Sequence, residues 1–280
     1  MINKKNFLDN LAITQGRHLR KINNKIQLFP QKNWQKEMKL FKLTQLKYIE
    51  WVVSLENFKK NPLCVIGGFR IINKNLNNNR IKCRSVDLDF IVKENPLNFS
   101  KKKLAFFINN IEIISKNASK VGVKYLIFPF LENSSPKSKV KFNNLISLMN
   151  IIKKKISKKL IILIETDLNP DEIVHLMIKL KNKVFINYDL GNSASKNFDF
   201  NDEKKYFKFV KNIHLKDRIK HGATVRFGFG NANFKKMFVF LKKNKNRYDF
   251  TLQPARSKCN NDIKEIKINI EYTKKLLSDL

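Results

Sequence analysis

Acidic side chains are scarce. The chain has 280 residues, and its 23 Asp and Glu stand against 57 Lys and Arg, a formal net charge of +34. Arginine is scarce too: nine of those basic residues are Arg (17, 20, 70, 80, 84, 218, 226, 247 and 256), and the other 48 are Lys. Sites that grip phosphates or read bases favour Arg for its bidentate fork. Here the excess is Lys, together with 36 Asn and 23 Phe, which an AT-rich coding sequence over-produces. The charge alone therefore assigns no polyanion partner, and nucleic acid is not the expected one. The three cysteines, Cys64, Cys83 and Cys259, are odd in number and lack CxxC spacing, which excludes a disulfide framework and a zinc ribbon. No apolar run reaches the roughly 18 residues of a membrane span. Met1–Gln15 lacks the apolar stretch of a signal peptide, so the expectation is a soluble, cytoplasmic protein without membrane contact. There is no internal repeat, no linker, and no GxGxxG or P-loop after the first strand-like run.

What is present is a regular alternation. Short strand-like runs occur at Leu11–Thr14, Tyr48–Val53, Ile81–Val92, Tyr125–Phe130, Leu160–Glu165, Val184–Tyr188, Phe209–Leu215 and Tyr248–Leu252. Between them lie helical stretches, clearest at Trp34–Leu46, Leu104–Ser119, Leu145–Ile156, Asp171–Leu180, Phe234–Lys243 and Asp262–Leu277. Asn169-Pro170-Asp171-Glu172 reads as a helix start, with Asn as cap, Pro at the first position and acids in the first turn. The Gly- and Asn-rich stretch 64–80 reads as a poor helix. Unalternating apolar runs suit parallel strands buried on both faces. Hydrophobic residues make up 42% of the chain, enough for a large core. Eight strands alternating with helices predict an α/β fold, a single (β/α)8 TIM barrel over residues 1–280.

In such a barrel the chemistry sits at the C-terminal ends of strands. Eight of the 23 acids lie in or just after the strand-like runs: Glu50, Asp87, Asp89, Glu132, Glu165, Asp167, Asp189 and Asp217. A uniform Lys bias does not put them there. Run five ends in LIILIETDLNP with Glu165, run six in VFINYDLGNSAS with Asp189, and run seven in VKNIHLKDR with His214. A Glu, an Asp and a His from three adjacent strand ends converge on one divalent ion and leave positions open for substrate oxygens. The plain alternatives are a helix-start charge at Glu165, a turn-forming Asp before Gly191, and a core histidine at His214. Taken together, the three favour a metal site.

These segments resemble the sugar-phosphate isomerase/epimerase group of xylose isomerase-like TIM barrels. Glu at strand five, Asp-x-Gly-Asn at strand six and His-x-Lys-Asp at strand seven carry the likeness. ITQGR at 13–17, IQLFPQKNW at 26–34, Ile49-Glu50-Trp51 and GATVRFGFGNANF at 222–234 agree with it. The resemblance covers almost the whole chain and implies one such domain over residues 1–280. It implies a divalent cofactor (Mn²⁺, Mg²⁺, Co²⁺ or Zn²⁺) held by Glu165, Asp189, His214 and a fourth residue after strand eight. That residue is Gln253, where the group more often has Glu. An amide oxygen still ligates such a cation, but it carries no charge and cannot act as a base.

The chemistry implied is proton abstraction α to a carbonyl through an enediolate. Glu165 is the expected base, and Lys216 or Arg218 offsets charge building on oxygen. With Gln253 in the fourth position a second carboxylate is missing. That favours aldose–ketose isomerisation over epimerisation, unless Glu132 or Asp217 takes its place. Arg17, Arg218 and Arg256 follow strands one, seven and eight and are expected around a substrate phosphate, aided by backbone N–H groups of GFGNANF. Asn192 and Trp34 are candidates for the sugar pocket, Trp34 equally for helix-start packing. The expected partner is a small sugar or sugar phosphate; a homo-oligomer is left open. Alternatives are a lyase dehydrating a cyclic polyol or keto acid, and a barrel that has lost activity. A nuclease on the same scaffold uses more metal-binding His than the four present, His18, His175, His214 and His221.

Overall fold

Strand residues send successive side chains to opposite faces, so a strand closed into a barrel feeds one core inside and another under the helices. The structure is a computed structural model that describes residues 4–22, 25–181, 184–244 and 246–280. Among these, eight parallel strands close in sequence order: β1 (Leu11–Thr14), β2 (Tyr48–Val52), β3 (Lys82–Asp87), β4 (Tyr125–Phe130), β5 (Ile161–Thr166), β6 (Val184–Asp189), β7 (Val210–Leu215) and β8 (Asp249–Leu252). This is the (β/α)8 barrel expected. Met1–Asn3 of the N-terminal stretch lie outside the described residues.

The two cores are distinct. Tyr125, Ile127 and Leu163 fill the barrel floor. Their neighbours Leu126, Phe128, Ile162 and Ile164 face outward into the large core beneath the helices. Higher along the axis the inward positions turn polar, with Thr14, Glu50, Ser85, Asn187, Asn212, His214 and Thr251 bonded to one another inside the strands. Among the described residues no helix is long and apolar enough to cross a membrane.

Local signals explain the helices. Ser100 and Ser138 cap Lys101–Val121 and Lys139–Lys155, and Asn169 and Glu172 form the capping box of Pro170–Leu180. Three expectations need correction. Residues 64–80 do contain a helix, Phe69–Asn78, because Ile72 and Leu76, one turn apart, are buried against the barrel and outweigh the weak propensity of Asn. The third run does not stay extended to Val92. It ends at Asp87, and Phe90–Glu94 turns back as a helix that buries Phe90 and Ile91. The stretch 34–46 is helical only over Trp34–Leu40, followed by a tight 3₁₀ turn at Phe41–Leu43.

The floor is closed by charge. Asp249, at the start of β8, accepts hydrogen bonds from Lys124 Nζ and Tyr125 OH, each at 2.7 Å, and Arg84 Nη1 lies 3.6 Å away. Burial works to raise the Asp249 carboxyl, but the Arg84 charge and the Lys124 and Tyr125 donors outweigh it and hold it below the usual carboxylate range. A carboxyl depressed in this way adds stability above its unfolded value of about 3.9, and loses it as pH falls through the lower folded value. Asp249→Asn is therefore expected to be less stable than the parent at neutral pH, the gap closing as pH falls below about 4. Urea denaturation midpoints across that window check it; a gap that ignores pH counts against the ion pair.

Candidate metal centre and active site

β5 delivers Glu165, β6 ends on Asp189, and His214 lies near the end of β7. Asp189 and His214 are register partners in adjacent parallel strands. His214 Nδ1 stands 3.2 Å from Glu165 Oε2 and 3.9 Å from Asp189 Oδ2. One ligand atom from each of the three lies within 4.8 Å of the others, and all three residues are buried. Two carboxylate oxygens and an imidazole nitrogen are a donor set for a hard or borderline divalent cation. Buried carboxylates drawn this close repel each other, and a cation between them relieves that repulsion. The residues fit the ion.

Behind His214 stands Glu50, wholly buried on β2. It lies within 3.0 Å of His214 Nε2 and accepts from Thr14 Oγ1 at 3.0 Å, Ser85 Oγ at 2.9 Å and Gln253 Nε2 at 3.4 Å. Burial acts to lower the His214 pKa. The Glu50 charge and the bonds to Glu165 and Glu50 outweigh it, and hold His214 well above its ordinary value. Burial likewise works to raise Glu50, but the His214 charge, with bonds from His214, Ser85 and Thr14, holds it down. A carboxylate on Nε2 fixes that proton and orients the ring; without a cation Nδ1 also carries a proton, toward Glu165, and a bound cation would take that proton's place. Asn187 buttresses the same ring, donating to Glu165 Oε2 at 2.7 Å with His214 Nδ1 at 3.1 Å, and is itself held by Asn212 at 2.7 Å. Sequence reasoning counted Glu50 among the strand acids without giving it a role. The signal was there: a carboxylate inside the apolar run YIEWV.

In front of the cluster Asn192 ties the groups together. Asp189 caps the short helix Leu190–Lys196, its Oδ1 accepting from the Asn192 backbone N–H at 2.8 Å. The Asn192 amide donates to Glu165 Oε1 at 2.9 Å and accepts from Arg218 Nη1 at 3.0 Å and Lys216 Nζ at 3.4 Å. Lys216 Nζ also reaches Asp189 Oδ2 at 3.2 Å. The glycine of Asp-Leu-Gly-Asn has a steric cause: a Cβ on Gly191 would meet Lys216 Cγ at 2.7 Å, so the lysine stem crosses the cluster only over a bare backbone. Glu165, Asp189, His214, Asn192, Lys216 and Arg218 are thus brought into one network.

The other expected residues lie elsewhere. Gln253, expected as the fourth ligand, gives its amide N–H to Glu50 and sits one hydrogen bond behind His214. Arg17 is buried and donates to the Ile26 carbonyl, while Arg256 donates to the carbonyls of Gly16 at 2.8 Å and Leu19 at 3.0 Å, so both clamp the loop after β1. Trp34 is buried edge-on against Trp51, with ring centroids 5.3 Å apart, the packing alternative. Glu132 is exposed, on left-handed backbone with φ 50°. Asp217 is fully buried and accepts the backbone N–H groups of Gly228 at 2.8 Å, Gly230 at 3.0 Å and Ala232 at 3.0 Å. It is therefore unavailable as a base, and three of the N–H groups of GFGNANF expected around a phosphate already have this acceptor. Gly230 is required there, since a Cβ would fall 2.2 Å from Asp217 Oδ1.

No family model matches the chain. No curated protein matches it either. Solved structures do match, over almost the whole chain. A xylose isomerase-like TIM barrel protein from Mycobacterium smegmatis, solved in complex with magnesium, aligns at TM-score 0.67 and 12% identity, over 100% of this chain and 99% of that one. D-allulose 3-epimerase from Methylomonas sp., in complex with D-allulose, aligns at TM-score 0.69 and 12% identity, over 95% and 96%. An L-ribulose 3-epimerase aligns at TM-score 0.72 and 10% identity, over 96% and 94%. The chain has the xylose isomerase-like TIM-barrel fold.

Burial pushes the Asp217 carboxyl upward, and the N–H groups of Ala232, Gly230 and Gly228 oppose that. Asp217→Asn turns an amide donor toward these donors. It is expected to cost about 1–3 kcal/mol and to release the amides of Gly228, Gly230 and Ala232 to solvent exchange. Hydrogen exchange at those three amides checks this; unchanged protection would remove Asp217 as the loop's anchor.

Proposed function

We propose that the chain is a divalent-metal-dependent isomerase/epimerase of a sugar or sugar phosphate, working by proton abstraction α to a carbonyl. The observation that carries this is the convergence of Glu165, Asp189 and His214 at the barrel mouth, with Glu50 behind the imidazole. The fold shared with sugar 3-epimerases, and the magnesium in one neighbour, support it. Glu165, Asp189 and His214 would hold the ion, one of Mn²⁺, Mg²⁺, Co²⁺ or Zn²⁺. When bound, it supplies Lewis acidity toward a carbonyl and the adjacent hydroxyl.

Glu165 removes the proton from the carbon next to the carbonyl. Its two oxygens are fixed by Asn192 and Asn187, which aim the carboxylate and leave lone pairs free. Lys216 and Arg218 set positive charge beside the cluster, where negative charge builds on substrate oxygen. A phosphate on the substrate would meet these two, since Arg17 and Arg256 are bonded into the loop after β1. The second reading, a barrel without activity, draws on Gln253 in place of a carboxylate; metal binding and turnover separate the two.

Titration calorimetry with Mn²⁺ is expected to give one site per chain, lost in His214→Ala and weakened about 10–100-fold in Glu50→Gln. With the ion loaded, Glu165→Gln is expected to lower turnover about 10²–10⁴-fold on whichever substrate responds in a panel of D-allulose, L-ribulose and ketose and aldose phosphates. A chain that binds no Mn²⁺ would sink the proposal.

A further inference from the structure

Inversion at a carbon needs a proton removed from one face and another delivered to the opposite face. The mouth end of strand eight offers no second carboxylate, because Gln253 stands after β8 and Asp249 lies at the floor. Asp217 is held by its loop, and Glu132 points to solvent. Of the other buried carboxyls just after strand ends among the described residues, Asp167 is tied to Ser135, Lys137 and Lys196, which leaves Asp87, the last residue of β3.

Its placement follows from strand alternation. Ser85 faces the barrel axis, since its hydroxyl reaches Glu50 Oε2 at 2.9 Å. Asp87, two residues on, shares that face one layer nearer the mouth. In the closed strand order β3 lies a quarter turn from β5 and half a turn from β7, so Asp87 looks across the mouth toward His214. Gln27, from the loop after β1, donates its amide to Asp87 Oδ2 at 2.8 Å and to Asp89 Oδ1 at 3.3 Å. The other oxygen, Oδ1, is buried with no hydrogen-bond partner. A bare carboxylate oxygen is costly in that position; protonation lowers the cost by removing the charge, and a substrate hydroxyl facing the oxygen would give it the partner it lacks.

The charged groups facing Asp87 are Glu50 on β2, Asp89 on its own loop, Glu165 on β5 and His214 on β7. Burial first, then the charges of Glu50, Asp89 and Glu165, push its carboxyl well above the usual range, and His214 opposes them. Asp89 is raised for a similar reason, to about 6, by burial and then by Glu56.

We propose that Asp87 is the second acid–base group of the site and that the reaction is an epimerisation. This rests on the function proposed above. Glu165 takes the proton as the C–H bond breaks and its electron pair passes into the enediolate. The Asp87 O–H then gives its proton to the same carbon from the other face, forming the new C–H bond and leaving Asp87 a carboxylate. Solvent exchange resets the two groups, and no oxidant or reductant is needed.

Three measurements on the full chain test this. In the metal-free protein, NMR of isotope-labelled aspartate carboxyls should show one resonance, absent in Asp87→Asn, that stays protonated at neutral pH; an ionised Asp87 overturns the proposal. Mn²⁺ affinity should be nearly unchanged in Asp87→Asn, and a loss beyond about tenfold makes Asp87 a ligand instead. In deuterated water, with D-allulose or L-ribulose and Mn²⁺, Asp87→Asn should keep deuterium exchange at the reacting carbon while epimer formation falls about 10²–10⁴-fold. Glu165→Gln should lose both. Epimer formation at the parent rate in Asp87→Asn, or equal loss of exchange and inversion, overturns the role of Asp87 and leaves the parent function standing. A parent chain that neither binds Mn²⁺ nor exchanges a carbon-bound proton overturns the function itself, with the carboxyl resonance still reporting on Asp87. Asp87→Ala serves for the same readouts where the amide variant does not fold.

Discussion

The buried hydrogen bond between Glu50 and His214 is the contact on which the rest of the site depends. A neutral imidazole has one donor and one acceptor nitrogen, and a carboxylate on Nε2 decides which is which. With that end fixed by Glu50, Nδ1 turns toward Glu165 and Asp189. Thr14, Ser85 and Gln253 hold Glu50 in turn, so strands one, two, three and eight all brace a ring carried by strand seven. A carboxylate this deep in a barrel is costly unless every oxygen is satisfied, and here it is.

The distribution of charge follows from the same economy. The surface is overwhelmingly positive, yet the mouth gathers Glu50, Asp87, Glu165 and Asp189 around one histidine, with Lys216 and Arg218 at the edge. Negative charge in a low-dielectric recess focuses a field that draws cations in. Under the proposed function, Lys216 and Arg218 set positive charge beside that recess, where negative charge would build on substrate oxygen.

Much of this was legible in the chain itself. The barrel could be read because most strands are short apolar runs and several helices carry their own caps, signals contained within a few residues. Glu165, Asp189 and His214 could be read because acids are scarce and these two end apolar strands. Helix Phe69–Asn78 could not, since it is held by the burial of Ile72 and Leu76 against the propensity of its asparagines. Asp217 looked like a base because its three N–H partners lie 11 to 15 residues further on, in a loop whose shape the sequence does not announce. Arg17 and Arg256 looked like phosphate ligands for the same reason: the carbonyls they hold are exposed only once the loop after β1 has its path.

By itself, then, the sequence determined the period, the caps and the type of each side chain at a strand end, because these are local properties of a polymer. The tertiary structure alone decided which of those side chains meet. Glu50 and His214 are 164 residues apart, and only closure of β1 against β8 makes them neighbours. Closure also turned Gln253 toward Glu50 and left one oxygen of Asp87 without a partner. Pairing, burial and the pKa values that follow depend on distances across the barrel, which a linear order of residues does not contain.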